Sequence, residues 1–260
     1  GGFNVRRFYQ ESWQGIPFTS FSHISFYHLA EPKFYAVFYE ELFRRYKNWD
    51  DLPSVWRDNK RTDAKWLIGQ LRAKLAQETE ERTGPVRVLS IGSGVGYMER
   101  ILLEEMPELE LHVNEPSTVG MKWLRELIPS DRIYIGLPPA CLPSDVQYDM
   151  IYLSTVDYGI PTREFQHLLW ELRAQLAPGG ELVLLSASLL EEDSFIGSFV
   201  NAIKIGIRAV LHHVGIRRQQ FWGWRRTQDE YRDLFKEAGF IKVKDGWLED
   251  GFETYWIRGQ

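Results

Sequence analysis

The chain has 260 residues, of which 44% are hydrophobic and 26% are charged, and its formal net charge is −5. This length and composition are those of a globular protein with a sizeable core, and the negative charge argues against general nucleic-acid binding. The single cysteine, Cys141, excludes an internal disulfide, and no apolar run is long enough to span a membrane, so we expect a cytoplasmic protein.

Residues 1–84 are predicted to form a helical cap, and residues 85–260 are predicted to form the main domain. Apolar residues recur at helical spacing from Glu31 to Tyr46 and again from Thr62 to Glu81, which predicts two helices in the cap. The cap is rich in aromatic residues, and most of these rings are expected to pack between the cap and the main domain.

The segment 86–117 predicts a nucleotide-binding unit. An apolar run ending at Ile91 is typical of a buried parallel strand, and the glycine-rich turn at 92–96 leads into a helical pattern. Glycines let a ligand approach the main chain closely, and the free N–H groups at the start of the helix face that ligand. A second strand, Leu109 to Glu115, ends on an acid that can accept hydrogen bonds from both hydroxyls of a ribose. Any nucleoside cofactor would fit this pattern, but Tyr97 stands where a dinucleotide-binding GxGxxG turn has its third glycine.

The residues that follow predict the rest of an alternating α/β fold. After a helix that ends at Leu127, the expected elements are strand Ile133 to Ile135, strand Tyr148 to Ser154, helix Thr162 to Leu176 and strand Glu181 to Ser186. A final helix from Gln228 to Ala238 precedes two strands, Phe240 to Leu248 and Phe252 to Ile257, joined around a hairpin signal at 249–251.

The insertion at 189–226 is the most distinctive stretch of the chain. Its apolar residues at helical spacing are Phe195, Phe199, Val200, Ile203, Ile207, Val210, Leu211 and Val214. Six basic residues and no acid lie between Ser194 and Thr227, which suggests an anionic partner such as a phosphate-bearing substrate or an anionic membrane surface. A cap helix with a solvated basic face is the other interpretation, and the pattern slightly favours it.

Three motifs together resemble those of the class I S-adenosylmethionine-dependent methyltransferases. They are GSGVG at 92–96, NEP at 114–116 and APGGELVLL at 177–185. The resemblance covers residues 85–188 and resumes near Thr227. It implies a Rossmann-like α/β fold with a seven-stranded, mostly parallel sheet, an antiparallel last strand, an N-terminal helical cap and an insertion after strand five.

The resemblance also implies a cofactor, S-adenosylmethionine, and the residues that bind it. These are Ser90, Gly92, Ser93, Gly94, Gly96, Glu115, Pro116, Leu137, Pro138 and Ser154. The chain departs from the family at two of them. An acid is usual at the position of Ser90, where it supports the methionine end, and at the position of Leu137, where it binds the adenine amine. These departures raise the alternative of a non-catalytic member of the fold that acts through its cap or insertion surface.

In the resembled family, the loop after the fourth strand contacts the substrate. Asp157 is therefore predicted as a general base and Tyr158 as a group that orients the acceptor. An Asp157 that caps the turn and a Tyr158 that packs on the cap fit the sequence equally well. Substrate contacts are also expected from the cap and the insertion, at Tyr27, His28, His213 and Trp222. No cluster has the spacing of zinc ligands, so no metal site is expected.

The sequence thus favours a methyltransferase that acts on a small molecule, with oxygen preferred over nitrogen and a phosphate-bearing or sugar-like acceptor. An NAD(P)-dependent oxidoreductase is the second alternative, and Tyr97 counts against it. No nucleic-acid partner and no stable membrane insertion are expected, whereas peripheral membrane contact through 194–226 and a homodimer stay open.

Overall fold

A computed structural model describes residues 6–18, 32–77, 84–190, 195–216, 221–248 and 254–260. The helices are α1 (Pro32–Arg45), α2 (Ser54–Ala76), α3 (Tyr97–Glu105), α4 (Thr162–Ala174), α5 (Phe195–His213) and α6 (Gln228–Glu237). The strands are β1 (Arg7–Gln10), β2 (Ser12–Trp13), β3 (Ile16–Pro17), β4 (Arg87–Ile91), β5 (Glu110–Glu115), β6 (Ile133–Ile135), β7 (Tyr148–Ser154), β8 (Leu176–Ser186), β9 (Phe221–Trp224), β10 (Val243–Trp247) and β11 (Tyr255–Gly259).

One sheet of seven strands organises the molecule, in the order β10-β11-β8-β7-β4-β5-β6. Strand β11 runs antiparallel to both of its neighbours, whereas the five strands from β8 to β6 are parallel. This arrangement confirms the predicted Rossmann-like sheet with an antiparallel last strand. The hairpin signal at 249–251 lies outside the described residues, but the two strands beside it pair as expected, from Val243↔Gly259 to Trp247↔Tyr255.

Helices cover both faces of the sheet, which explains why its central strands are apolar on both sides. On one face, Leu71 of α2 and Leu102 of α3 share a buried cluster with Val88 of β4. On the other face, Leu169 of α4 and Phe235 of α6 lie in a second buried cluster. Helix α2, which begins at Ser54 rather than at the predicted Thr62, therefore packs into the core of the sheet. The division of the chain at residue 84 stays a prediction.

The other N-terminal elements form a cap beside the glycine loop, the turn at 92–96. Phe38 and Leu42 of α1 are buried in one cluster with Val95 of that loop. The indole nitrogen of Trp49 donates a hydrogen bond to the carbonyl of Val95 at 2.8 Å. The cap is thus joined directly to the turn that the sequence marks as nucleotide-binding.

The insertion pairs with the start of the chain. Strand β9 runs antiparallel to β1, with Arg7 opposite Trp224. The resulting two-stranded ribbon packs on the loop after β7, because the ring of Phe8 lies 5.8 Å from the ring of Tyr158. This pairing joins segments far apart in sequence, and no local pattern predicts it.

Helix α5 lies against this ribbon. Ile205 is buried, and the guanidinium of Arg208 lies 4.3 Å from the centre of the Tyr9 ring. Across the described ranges, no helix is both long enough and apolar enough to cross a membrane.

The predicted helix that ends at Leu127 is wrong. Two short 3-10 helices, Val119–Lys122 and Leu124–Glu126, replace it. Gly120 disfavours a regular helix, and it lies under the ring of Tyr39, where an added Cβ would be 2.7 Å from the nearest ring atom. The close approach of the cap therefore shapes this segment.

Gly120→Ala should lower the free energy of unfolding by about 1–3 kcal/mol, because its new methyl group would overpack the contact with Tyr39. Gly69→Ala is the matched control, since Gly69 lies within α2 and an added Cβ there would meet nothing within 4 Å. The same substitution should therefore stabilise the protein at Gly69, by roughly 0.5–1 kcal/mol. Urea unfolding of the two variants measures both effects, and equal effects would contradict the close contact of cap and main domain.

Candidate functional site

A cavity lies where the carboxyl ends of β4, β5 and β7 meet the cap. Part of the cavity is open to solvent. The lining residues are Trp13, Gln14, Tyr35, Tyr39, Trp56, Lys60, Ser90, Gly92, Ser93, Gly94, Val95, Tyr97, Met98, Glu99, Glu115, Pro116, Ser154, Thr155, Val156, Tyr158 and Gly159. This is the crevice in which open α/β sheets bind their ligands.

The glycine loop forms one wall of the cavity. Gly92 and Gly94 have φ values of +66° and +61°, in the left-handed region that favours glycine. A Cβ at Gly92 would be 2.7 Å from Val156, so packing alone requires that glycine. A Cβ at Gly94 would meet only the hydroxyl of Tyr39, at 3.6 Å. The main chain at Gly94 is therefore open to close approach by a ligand.

Glu115 ends β5 and is buried beside this loop. Its Oε2 accepts a hydrogen bond from the amide of Gly94 at 2.9 Å. Its Oε1 is buried and has no hydrogen-bond partner among the described residues. Burial raises the pKa of Glu115 to about 8. A ligand hydroxyl that donates to Oε1 would stabilise the ionised form of Glu115 and so offset part of the cost of its burial.

Glu99 brings a second carboxylate to the cavity, from the first turn of α3. The hydroxyls of Ser90 and Tyr152 both donate to its Oε1, each at 2.6 Å. Its Oε2 is buried and lacks a partner within the described part of the chain. Burial raises the pKa of Glu99. The resembled family has an acid at the position of Ser90. In this chain the hydroxyl of Ser90 instead bonds to Glu99, an acid that helix α3 supplies.

Lys60 reaches the cavity from α2. Its ammonium group donates to Ser154 Oγ at 2.7 Å and to Thr155 Oγ1 at 2.8 Å, and it lies 3.7 Å from Asp63 Oδ2. Burial lowers the pKa of Lys60, and the nearby charges of Asp63 and Glu99 oppose that shift. Lys60 and Glu99 are therefore close enough to influence each other's pKa. Thr155, which accepts a hydrogen bond from Lys60, has a φ of 54°, which is rare for a residue other than glycine.

Asp157 lies in a buried network outside the cavity lining. Its Oδ2 accepts hydrogen bonds from Ser186 Oγ at 2.8 Å, from Ser188 Oγ at 3.3 Å and from the hydroxyl of Tyr231. The buried side chain of Arg226 adds a hydrogen bond to the main-chain carbonyl of Asp157 at 2.9 Å. These bonds tie the loop after β7 to β8 and α6. The arrangement favours the structural interpretation of Asp157 over a general base.

The predicted site residues divide into those at the cavity and those elsewhere. Lining residues among them are Ser90, Gly92, Ser93, Gly94, Glu115, Pro116, Ser154 and Tyr158. Gly96 lies behind the loop against Leu124, and Leu137 and Pro138 are not part of the lining. The predicted role of Leu137 and Pro138 beside an adenine stays a prediction.

The two described residues that were predicted to bind substrate, His213 and Trp222, do not line the cavity. His213 is exposed on α5, and Trp222 is buried in β9 against Tyr9. Both belong to the insertion, whose contact with the cavity runs through the ribbon of β1 and β9. Tyr27 and His28 lie outside the described residues.

Three cavity residues, Lys60, Glu99 and Tyr39, are not predicted as site residues from the sequence. Lys60 does have a signal, because it lies on the same helix face as Ala64, Leu67 and Leu71, which are buried. For Glu99, the signal is its place in the first turn of α3, the helix that follows strand β4. That strand has Ser90 where the resembled family has an acid. Within the described ranges, no three His, Cys, Asp or Glu side chains are placed to hold a metal ion together.

Comparison with known proteins gives matches in structure but not in sequence. No protein-family profile and no curated protein sequence matches this chain. A protein from Nostoc punctiforme PCC 73102, described as a candidate O-methyltransferase, is 18% identical with a TM-score of 0.52, over 74% of this chain and 54% of that one. Mitomycin 7-O-methyltransferase MmcR is 17% identical with a TM-score of 0.52, over 80% of this chain and 54% of that one.

A third similar structure is magnesium protoporphyrin IX methyltransferase ChlM from Synechocystis PCC 6803, solved with bound S-adenosylhomocysteine. It is 13% identical with a TM-score of 0.50, over 78% of this chain and 81% of that one. The chain spans about half the length of the other two proteins. At such identities the likeness concerns the fold, and this chain has the fold of the class I S-adenosylmethionine-dependent methyltransferases.

The burial of Glu115 predicts a pH-dependent stability. Between its ordinary pKa of 4.5 and its raised pKa of about 8, the folded protein keeps a proton that the unfolded chain releases. The free energy of unfolding therefore falls as the pH rises through this window. Glu115→Gln removes the titration. The melting temperature of the variant minus that of the wild type should therefore increase as the pH rises from about 5 to about 8. Calorimetry across this range measures the gain.

Glu110→Gln, at the other end of β5, is the matched control. Burial acts to raise the pKa of Glu110, but hydrogen bonds from Arg87 and His112 outweigh it and lower the pKa. This carboxylate therefore stabilises the fold above its unfolded pKa and ceases to do so as the pH falls through its folded pKa. The variant should be less stable than the wild type at neutral pH and should converge with it in acid. Differences that do not change with pH would contradict both assignments.

Asp157→Asn should lower the free energy of unfolding by about 1.5–3 kcal/mol, because three hydroxyls donate to its charged oxygen. Asp145→Asn is the control, since Asp145 is exposed and the change should stay within about 0.5 kcal/mol. Urea unfolding measures both variants. An Asp157→Asn protein as stable as the wild type would contradict the structural interpretation.

Proposed function

We propose that this chain is an enzyme that transfers the methyl group of S-adenosylmethionine to a small molecule. One observation carries the proposal: Glu115 is buried at the end of β5 beside the glycine loop, and its Oε1 lacks a partner among the described residues. A ribose hydroxyl is a donor that would satisfy this oxygen. The fold shared with proteins named as methyltransferases supports the same choice.

The residues of the cavity fit the two ends of S-adenosylmethionine. Glu115 would bind the ribose, with Pro116 next to it, and the open main chain at Gly94 would lie along the cofactor. Glu99 supplies a carboxyl group and Lys60 an amino group in the same cavity, so they would pair with the ammonium and carboxylate groups of the methionine end.

Two further residues position these charges. Ser90 holds Glu99 through its hydroxyl, and Ser154 accepts a hydrogen bond from Lys60. Ser90 and Ser154 are thus proposed to act on the cofactor through the charged side chains that they hold. The loss of the strand acid at Ser90 therefore does not leave the site without a carboxylate.

Bound S-adenosylmethionine supplies a methyl group on a sulfonium, which is an inherently reactive donor. The contribution of the chain is then to hold the acceptor in line and to exclude water. Aromatic rings of Trp13, Tyr35, Trp56 and Tyr158 line the cavity and would form its dry wall. Tyr158, at the end of β7, is the ring proposed to orient the acceptor.

An oxygen atom is the proposed acceptor, as in the two similar proteins named for O-methylation. The basic insertion supports a phosphate-bearing or sugar-like compound, because strand β9 of the insertion packs on Tyr158 beside the cavity. Asp157 remains the residue predicted as base, although its hydrogen bonds favour a structural role.

Calorimetric titration with S-adenosylhomocysteine and 5′-methylthioadenosine tests the two ends of the site separately, because the second ligand has the nucleoside without the amino acid. Glu115→Gln should weaken both ligands. Glu99→Gln should weaken S-adenosylhomocysteine by about 10–100-fold, which corresponds to about 1.5–3 kcal/mol for a charged hydrogen bond, and should leave 5′-methylthioadenosine unchanged.

Glu104→Gln is the control for these titrations, since Glu104 is an exposed residue of the same helix and should affect neither ligand. Preferential binding of NADH by the wild type would favour the oxidoreductase alternative. If the folded wild-type protein binds none of the three compounds, the proposal fails and a non-catalytic member of the fold becomes the better interpretation.

A further inference from the structure

Helix α5 and the residue that follows it present an apolar row to solvent. We call this row the outer stripe; its members, each between 46% and 58% exposed, are Val200, Ile203, Ile207, Val210 and Val214. At a rise of about 1.5 Å per residue the row extends over roughly 21 Å. A contiguous apolar patch of this kind on a protein surface usually marks an interaction site.

The opposite side of the helix is already occupied. Ile205 is buried, Arg208 lies over the ring of Tyr9 and pairs with Glu11, and the ring of His212 lies 6.2 Å from that of Trp222. These contacts fix the rotation of α5 on the ribbon of β1 and β9. The outer stripe therefore faces away from the molecule, contrary to the sequence interpretation of a cap helix with a solvated basic face.

The charged residues of α5 have one sign. Lys204 is exposed next to the stripe, Arg208 lies on the opposite side, and Arg217 and Arg218 follow the helix in the sequence. No acid occurs between Ser194 and Thr227, although the chain as a whole carries a net charge of −5. An apolar row on a helix whose charged residues are all basic complements a surface that is apolar inside and negative outside.

We propose that the outer stripe docks on an anionic lipid surface, with α5 lying in the plane of the interface. The apolar side chains of the stripe enter the boundary between head groups and acyl chains, and Lys204 contacts the anionic head groups. The ribbon of β1 and β9 then lies between the lipid surface and the loop that carries Tyr158, because Phe8 contacts that residue.

A second copy of the chain is the competing occupant. The alternating spacing of three and four residues along the stripe also suits the pairing of two helices. A self-complementary pair, however, would bring the basic side chains of both copies together, with no acid between Ser194 and Thr227 to compensate. The charge pattern therefore favours lipid over a second copy.

Vesicle co-sedimentation tests the proposal on the full chain. The wild type should pellet with vesicles of equal parts phosphatidylcholine and phosphatidylglycerol, and about tenfold less with phosphatidylcholine alone or at high salt. The triple variant Ile203→Ser/Ile207→Ser/Val210→Ser should lose about tenfold of the binding to anionic vesicles, and Lys204→Glu should weaken it as well. All four positions are exposed, and thermal melting verifies that the variants fold.

The control is Val55→Ser/Ile241→Ser, which removes two exposed apolar side chains elsewhere on the surface and should bind vesicles like the wild type. The proposal is overturned if the wild type does not bind anionic vesicles, or if the triple variant still binds them. Sedimentation velocity identifies the competing occupant: a wild-type dimer that the triple variant converts to monomers would assign the stripe to self-association. Equal binding to neutral and anionic vesicles would overturn the role given to charge.

Discussion

The desolvation of two carboxylates is the physical constraint on which the site depends. Glu99 and Glu115 are both buried next to the glycine loop, and burial raises the pKa of each. Fixed donors stabilise one oxygen of each group, namely the hydroxyls of Ser90 and Tyr152 for Glu99 and the amide of Gly94 for Glu115. Strands β4 and β5 are parallel neighbours. The glycine loop, which follows β4, therefore meets Glu115, which ends β5, at the same edge of the sheet. The cavity thereby combines a hydrophobic wall with acceptors that suit a ligand rich in hydroxyl and ammonium donors.

Local patterns predicted most of the sheet. The apolar runs of β4 and β7, the glycine turn and the strand pair at the end of the chain each have a signature confined to about ten residues. The pairing of β1 with β9 has no such signature, because its partners meet only after the cap and the insertion have folded onto the sheet. The 3-10 segment around Gly120 was missed for a related reason, since the ring of Tyr39 that shapes it belongs to another element.

The site was predictable where a motif fixes the backbone and unpredictable where a side chain arrives from elsewhere. Glu115 and Gly94 lie at the cavity because a strand end and a turn define their positions. Glu99 reaches the same cavity because Ser90 and Tyr152 supply donors for it, a three-residue arrangement that spacing alone does not reveal. Asp157 is the opposite case. Its place after strand β7 suggested a general base, but its hydrogen-bond partners on β8 and α6 hold it in the interior.

The position of Tyr39 has a kinetic consequence. The hydroxyl of Tyr39 would lie 3.6 Å from a Cβ on Gly94, so a ligand that reaches the main chain of Gly94 enters beside helix α1. That helix is held by the buried cluster around Phe38 and lies directly over Gly120. Opening of the cap would then limit entry and release, and would lengthen the residence time of whatever the cavity holds.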